Sequence, residues 1–124
     1  MSQIIWEPLD LLNVLGVIPE IDEYETSHKY VISQPPMRLE VLLTQYDGDV
    51  EFKLFVAPFA TEVLRFSMLE CPRVRAAHDK RGQYLEFAAT NAFTGRYDGY
   101  SVIPYGIRVW IEPHILLEPF SYPD

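Results

Sequence analysis

Apolar and polar side chains alternate most cleanly along MRLEVLLTQYDGDVEFKLFV, residues 37–56. A period of two is that of a half-buried strand, and Asp47-Gly48 at the midpoint predicts a hairpin with a two-residue turn. That register sets Leu43 opposite Phe52, Val41 opposite Leu54 and Leu39 opposite Val56, an all-apolar face. The other face pairs Thr44 with Glu51, Leu42 with Lys53 and Glu40 with Phe55, so one side is suited to a core and the other to water.

The same alternation recurs downstream. RVRAAHDKRGQYLEF, residues 73–87, predicts a second hairpin turning around Lys80 to Gly82, in which a two- or a four-residue loop places Val74, Ala76, Leu85 and Phe87 on one face. The four-residue loop also sets Arg75 opposite Glu86, a favourable cross-strand pair. IRVWIE predicts a late strand with Ile107, Val109 and Ile111 on one side and Arg108, Trp110 and Glu112 on the other. In TEVLRFSMLE, Phe59, Val63 and Phe66 fit a helical stripe, while Leu64, Phe66 and Met68 alternate with Arg65 and Ser67; we read it as a strand.

Helical signals concentrate in EPLDLLNVLG, where Pro8 suits a first helical position, Gly16 a left-handed exit, and Leu11, Leu12 and Leu15 a buried stripe. The acidic residues that follow predict a loop or single turn, then an edge strand over Lys29 to Ser33 that stops at Pro35 and Pro36. Near the C-terminus, Pro113, Pro119 and Pro123 are expected to prevent regular pairing and to protect an exposed edge. The sum is a mainly β, antiparallel meander sheet or sandwich of about six or seven strands with one short N-terminal helix.

Composition narrows the class. With 124 residues, 48% hydrophobic and 14% aromatic, residues 1–124 are expected to form a single domain around its own core. A lone cysteine, Cys71, excludes an intrachain disulfide, and neither a leader nor a membrane-length apolar run is present, which predicts a cytoplasmic protein with no membrane contact. The net charge of -8 disfavours nucleic acid, whose phosphates demand clustered bases. Acids crowd residues 1–25 as Glu7, Asp10, Glu20, Asp22, Glu23 and Glu25 with no base among them, whereas Arg65, Arg73, Arg75, Lys80 and Arg81 lie close together in the middle. Such a surface can steer a basic partner at long range.

Catalytic signatures find no support. Cys71 and His78, on an extended run, stand on the order of 23 Å apart and on opposite faces. His78, Asp79 and Glu86 make a polar rim beside the second turn, and Glu25 with His28, near Asp22 and Glu23, is one carboxylate–imidazole fragment where a bridged metal pair needs two. Neither a phosphate loop nor a nucleophile elbow occurs. No catalytic residue, cofactor or metal is therefore expected.

The remaining candidate is TGRYDGYSVIPYGIRVWIEPH, residues 94–114. Its Tyr97, Tyr100 and Tyr105, beside Arg96 and Arg108, have the makeup of a protein-contact hot spot, though the same rings could cap the open end of a sheet. Tyr97-Asp98-Gly99 repeats Tyr46-Asp47-Gly48, which we read as shared turn chemistry. The expectation is a non-catalytic protein-binding module whose partner, a basic protein, is steered by Asp22, Glu23 and Glu25 and anchored by Tyr97, Tyr100 and Tyr105. The alternative is a small-molecule-binding or enzymatic β-domain with an aromatic-lined cavity served by His78 or His114. The mixed face around Leu42 and Phe55 also admits a homodimer.

In layout the chain is similar to small bacterial immunity proteins, the cytosolic inhibitors of polymorphic toxins delivered between cells. The similarity runs through the short helix ending in VLG, the hairpin LTQYDGDVEFKLFV, the run VLRFSMLECPRVRAA and the late strand IRVWIEP. It implies an acidic protein that binds and blocks a toxin, often a basic one, and it carries no site residue over.

Overall fold

The computed structural model describes residues 4–44, 46–88, 103 and 105–121. It opens with one helix, α1 (Pro8–Leu15), whose first turn is capped by the Glu7 carboxylate accepting from Leu9 N–H at 3.2 Å. Gly16 ends it at φ 74, a left-handed conformation that glycine adopts without Cβ strain. Leu11, Val14 and Leu15 face inward, while the expected Leu12 is 39% exposed. The correction follows from the 100° turn per residue: 11, 14 and 15 share a face and 12 rotates off it.

Nine strands follow among the described residues, more than the six or seven expected. They are β1 (Glu20–Ile21), β2 (Ser27–Gln34), β3 (Met37–Thr44), β4 (Asp49–Val56), β5 (Leu64–Met68), β6 (Val74–Asp79), β7 (Gly82–Ala88), β8 (Tyr105–Trp110) and β9 (Leu116–Ser121). Every pairing joins neighbours in sequence: β1-β2-β3-β4-β5 form one antiparallel sheet and β6-β7-β8-β9 another. The inner faces meet in one hydrophobic cluster that includes Leu39, Val41, Leu43 and Phe52 from the first sheet and Leu85, Phe87, Ile107 and Val109 from the second. Phe52 and Phe87 touch edge to face at 4.9 Å across the gap. Each such side chain removed from water contributes about 1.5–3 kcal/mol.

The β3–β4 hairpin keeps the predicted faces but not the predicted register. Leu43 lies opposite Val50, Val41 opposite Phe52 and Leu39 opposite Leu54, a shift of two residues. A two-residue turn needs a positive φ at both central positions if of type I′ and at the first if of type II′, and Asp47, the first, has none; only Gly48, at φ 79, does. Instead Gly48 N–H closes back on Thr44 C=O at 2.9 Å, and pairing begins at Thr44–Asp49. On the outer face the shift brings Glu40 opposite Lys53. In the second hairpin, Arg75 does lie opposite Glu86, but not through the four-residue loop expected to set that pair: pairing runs on to Asp79–Gly82 and leaves a two-residue turn, Lys80 and Arg81. TEVLRFSMLE contains β5, as read from its alternation.

Two edge expectations change. β2 is longer than predicted, and β1 covers it at His28 and Lys29. β9 pairs with β8 from Leu116 to Ser121 although it contains Pro119, which sits opposite Ile107. As the outermost strand of its sheet, β9 needs only alternate N–H groups for the ladder, so proline is tolerated there.

Candidate protein-docking site

The registers place three connections at one end of the sandwich. β2 starts at Ser27 beside Thr44, the end of β3; Thr44 faces Asp49, the start of β4; and Val50 faces Met68, the end of β5. The β1–β2 turn, the β3–β4 turn and the exit from β5 therefore lie side by side, spanning three strand spacings or about 14 Å. Cys71 N–H donates to Gly48 C=O at 2.6 Å and ties the crossover between sheets to this end. Gln34 marks the opposite end: its amide donates to Ile111 C=O and accepts from Ile115 N–H, both at 2.7 Å, joining the β2–β3 and β8–β9 turns.

What gathers at the first end is acidic. Asp22, Glu23 and Glu25 come from one turn, Asp47 from the next, Asp49 from the first position of β4, and Glu70 follows β5. Exposed apolar groups stand among them: Tyr24, 76% exposed, Ile21, Tyr46, 44% exposed, and Leu69. No described base forms an ion pair with Glu20, Asp22, Glu23, Asp47 or Asp49. Glu25 and Glu70 adopt φ 57 and φ 55, a conformation that costs a residue with a Cβ about 1–2 kcal/mol.

The three predicted acids do not play the same part. Asp22 organises its turn: its carboxylate accepts from Thr26 N–H and Thr26 O–H, both at 2.6 Å, and from Ser27 N–H at 3.0 Å. The Thr26 hydroxyl, then the Ser27 amide, pulls its pKa below the ordinary 3.8. Glu23 and Glu25 are exposed on the turn that Asp22 holds. Beneath it His28 is buried, packed edge to face against Trp6 at 5.0 Å with Nδ1 unpartnered. Burial lowers its pKa, and the negative charges of Asp22 and Glu25 oppose that shift.

Of the predicted tyrosines, Tyr97 and Tyr100 lie outside the described residues, and Tyr105 is described only as the first residue of β8. The strands that flank them, ending at Ala88 and starting at Tyr105, do so at the acid end: Ala88 pairs with Gly106, and its N–H donates to Arg73 C=O beside the crossover. Sequence reasoning missed Tyr24, Tyr46, Asp47 and Asp49 as site residues. Tyr46-Asp47-Gly48 was legible as a turn, but its neighbourhood to residues 22–25 exists only through strand pairing.

The other chemical candidates resolve differently. Cys71 is buried, its thiol donates to Arg73 C=O at 3.4 Å, and burial pushes its pKa up to about 12, far from a nucleophile's range. His78 is exposed near the far end of β6. Glu86, fully buried, accepts from Arg75 Nε at 2.7 Å and from Arg108 Nε at 2.9 Å, so it is a paired structural carboxylate. No group of three or more His, Cys, Asp or Glu placed to hold a metal occurs among the described residues, and no described helix is long and apolar enough to cross a membrane. On the face considered for a homodimer, Arg38 lies over the Phe55 ring at 4.1 Å and bridges to Glu40 at 3.3 Å.

No family model matches the chain, and no curated protein does. Among solved structures it is similar to a chain of the contact-dependent growth inhibition toxin–immunity protein complex from Klebsiella pneumoniae 342, with a TM-score of 0.76. The two share 14% sequence identity over 98% of this chain and 99% of that one, a likeness of fold along the whole length.

Proposed function

We propose that this chain is an immunity-type inhibitor: a non-catalytic protein that binds a toxin protein and blocks it by occlusion. One observation carries the reading, the fold shared end to end with a chain of a toxin–immunity complex. The layout of the sequence and its acidic excess support the inhibitor side of such a pair. The docking surface is the acid end, where Glu23, Glu25 and Asp47 attract a basic partner and Tyr24 and Tyr46 supply rigid apolar anchors beside them. We also propose Tyr97, Tyr100 and Tyr105 as anchoring contacts for the partner. Inhibition takes place in the cytoplasm.

The test is co-expression with the product of the neighbouring gene. Growth arrest caused by that product and relieved by this chain, together with a stoichiometric complex on size exclusion, is the expected result. Growth arrest caused by this chain alone, or the absence of any complex with a toxic neighbour, overturns the reading.

A further inference from the structure

Among the described residues the two sheets end in the edge strands β1, β5, β6 and β9. An edge is kept from pairing with another chain by shortness, proline, charge or cover. β1 is two residues long, β9 carries Pro119, and β6 has Ile5 bridged beside its entry at Arg73 and charged Arg75 and Asp79 along it. β5 has the least protection: no proline, one charge, Arg65, and only Met68 buried, with exposed Val63 and Leu69 at its two ends. No described strand lies against its outer side.

The side chains of β5 match their own reverse. Leu64, Phe66 and Met68 lie on the inner face, opposite Leu54, Phe52 and Val50, and Arg65 and Ser67 on the outer face, opposite Lys53 and Glu51. A two-fold axis at Phe66 sets Phe66 on Phe66, Leu64 on Met68 and Arg65 on Ser67 of the other copy, and brings Val63 toward Leu69 just beyond the strand. Apolar rows then run on across the seam. On the outer face the Lys53–Arg65 half of one copy adjoins the Ser67–Glu51 half of the other, where the Ser67 hydroxyl donates to Glu51 at 3.4 Å. Glu62 comes toward Glu70 of the other copy, but Arg65 already pairs with it. An axis at Arg65 would oppose that residue to itself, a destabilising like-charge pair, and one at Ser67 would oppose Leu64 to Glu70. A one-residue slip would lay apolar positions against polar ones.

We infer that β5 is a seam between two copies of this chain, which pair β5 to β5 antiparallel about Phe66 and join their five-stranded sheets into one. The occupant of the edge is a second copy because the strand complements itself in that one register, in apolar pairs and in charge. Antiparallel pairing also sets the acid end of each copy beside the opposite end of the other, so the two acidic clusters do not face each other and both stay open. The seam does not rest on the proposed inhibitory function.

A seam of five residues is a small interface, so association is expected between about 10 μM and 1 mM, read by sedimentation equilibrium as a rise toward twice the monomer mass. Leu64→Lys, at an exposed position, guards the edge and is expected to weaken association about tenfold or more while keeping the circular dichroism of the parent. Cysteines report the register, because directly opposite residues come within disulfide reach whereas positions two residues out of step stand about 8 Å apart, beyond it. Arg65→Cys and Ser67→Cys, both exposed, are expected to cross-link when mixed and not when oxidised singly; Cys71 is buried and takes no part. A mass that stays monomeric to about 1 mM, leaving the edge to some other protein's strand, equal association of Leu64→Lys, or single cysteine variants that cross-link as readily as the mixture overturns the inference.

Discussion

On the outer face of the second sheet, Glu86 is gripped by Arg75 and Arg108, and Glu118 is shared by Arg108 and Arg81 at 3.3 and 3.5 Å. The first sheet does the same with Glu40 between Lys29 and Arg38, Glu51 beside Lys53, and Glu62 beside Arg65. At the acid end, by contrast, Asp22 spends its oxygens on Thr26 and Ser27, and Glu23 and Asp47 have no described base beside them. The same side-chain type therefore does two jobs. On the broad faces carboxylates neutralise nearby arginines and lysines, within a strand as at Arg38–Glu40 and Glu51–Lys53 or across strands as at Arg75–Glu86, so the excess behind the net charge of -8 is left to places such as this end. An unbalanced cluster of like charge is what steers a partner, whereas a balanced face is electrostatically quiet beyond a Debye length.

The sharpest way to break this contrast is to remove a paired carboxylate. Glu86→Ala leaves two guanidinium groups, on side chains 28% and 14% exposed, without their shared partner; a loss of about 3–5 kcal/mol is expected in urea unfolding. Partner on-rate, measured on whatever fraction remains folded, should be unchanged. At the acid end the pattern inverts. The combined change Glu23→Lys, Glu25→Lys and Asp47→Lys should slow association about 10- to 100-fold at low ionic strength, with little effect on unfolding and with the difference fading at high salt. On-rates of the parent protein that do not respond to salt would remove the steering role.

Smaller effects sharpen the picture. Tyr24→Ala, at the most exposed aromatic of this end among the described residues, should weaken the complex by about 1–2 kcal/mol through dissociation rate and leave the free protein's stability unaltered. The smallest effect expected is a pH dependence from His28. Its folded pKa is lowered below the ordinary 6.5, so the neutral form is the one the fold accommodates. Stability is then complete above about pH 6.5 and falls as the pH drops from there through the folded pKa, because the unfolded chain takes up the proton first. Unfolding midpoints across this range should slope in the parent and flatten in His28→Phe, which keeps a ring against Trp6.

Much of the fold could be read from alternation alone. Alternation puts Leu39, Val41, Leu43, Leu85 and Phe87 on the inner faces, and all are buried, whereas Ala76, expected beside Leu85, is exposed. Arg75 opposite Glu86 was read correctly because opposite charges mark a register that apolar pairs leave open. The β3–β4 register was not, since shifting a strand by two residues returns every side chain to its own face and leaves the pattern intact. β9 was lost to an overweighted rule, as proline excludes a central strand and not an edge. Within the candidate site, Asp22, Glu23 and Glu25 were visible as a local run of charge, while Tyr24 was passed over among its acidic neighbours.

By itself, then, the sequence determined which face of the long central strands turns inward, that the sheets are antiparallel, and how large the acidic excess is, because periodicity and composition are local or additive properties. Tertiary structure decided where that excess is gathered. Asp22, Asp47 and Glu70 share one end only because hairpins fold back on themselves and set turns a few strand spacings apart, a proximity that no spacing along the chain encodes.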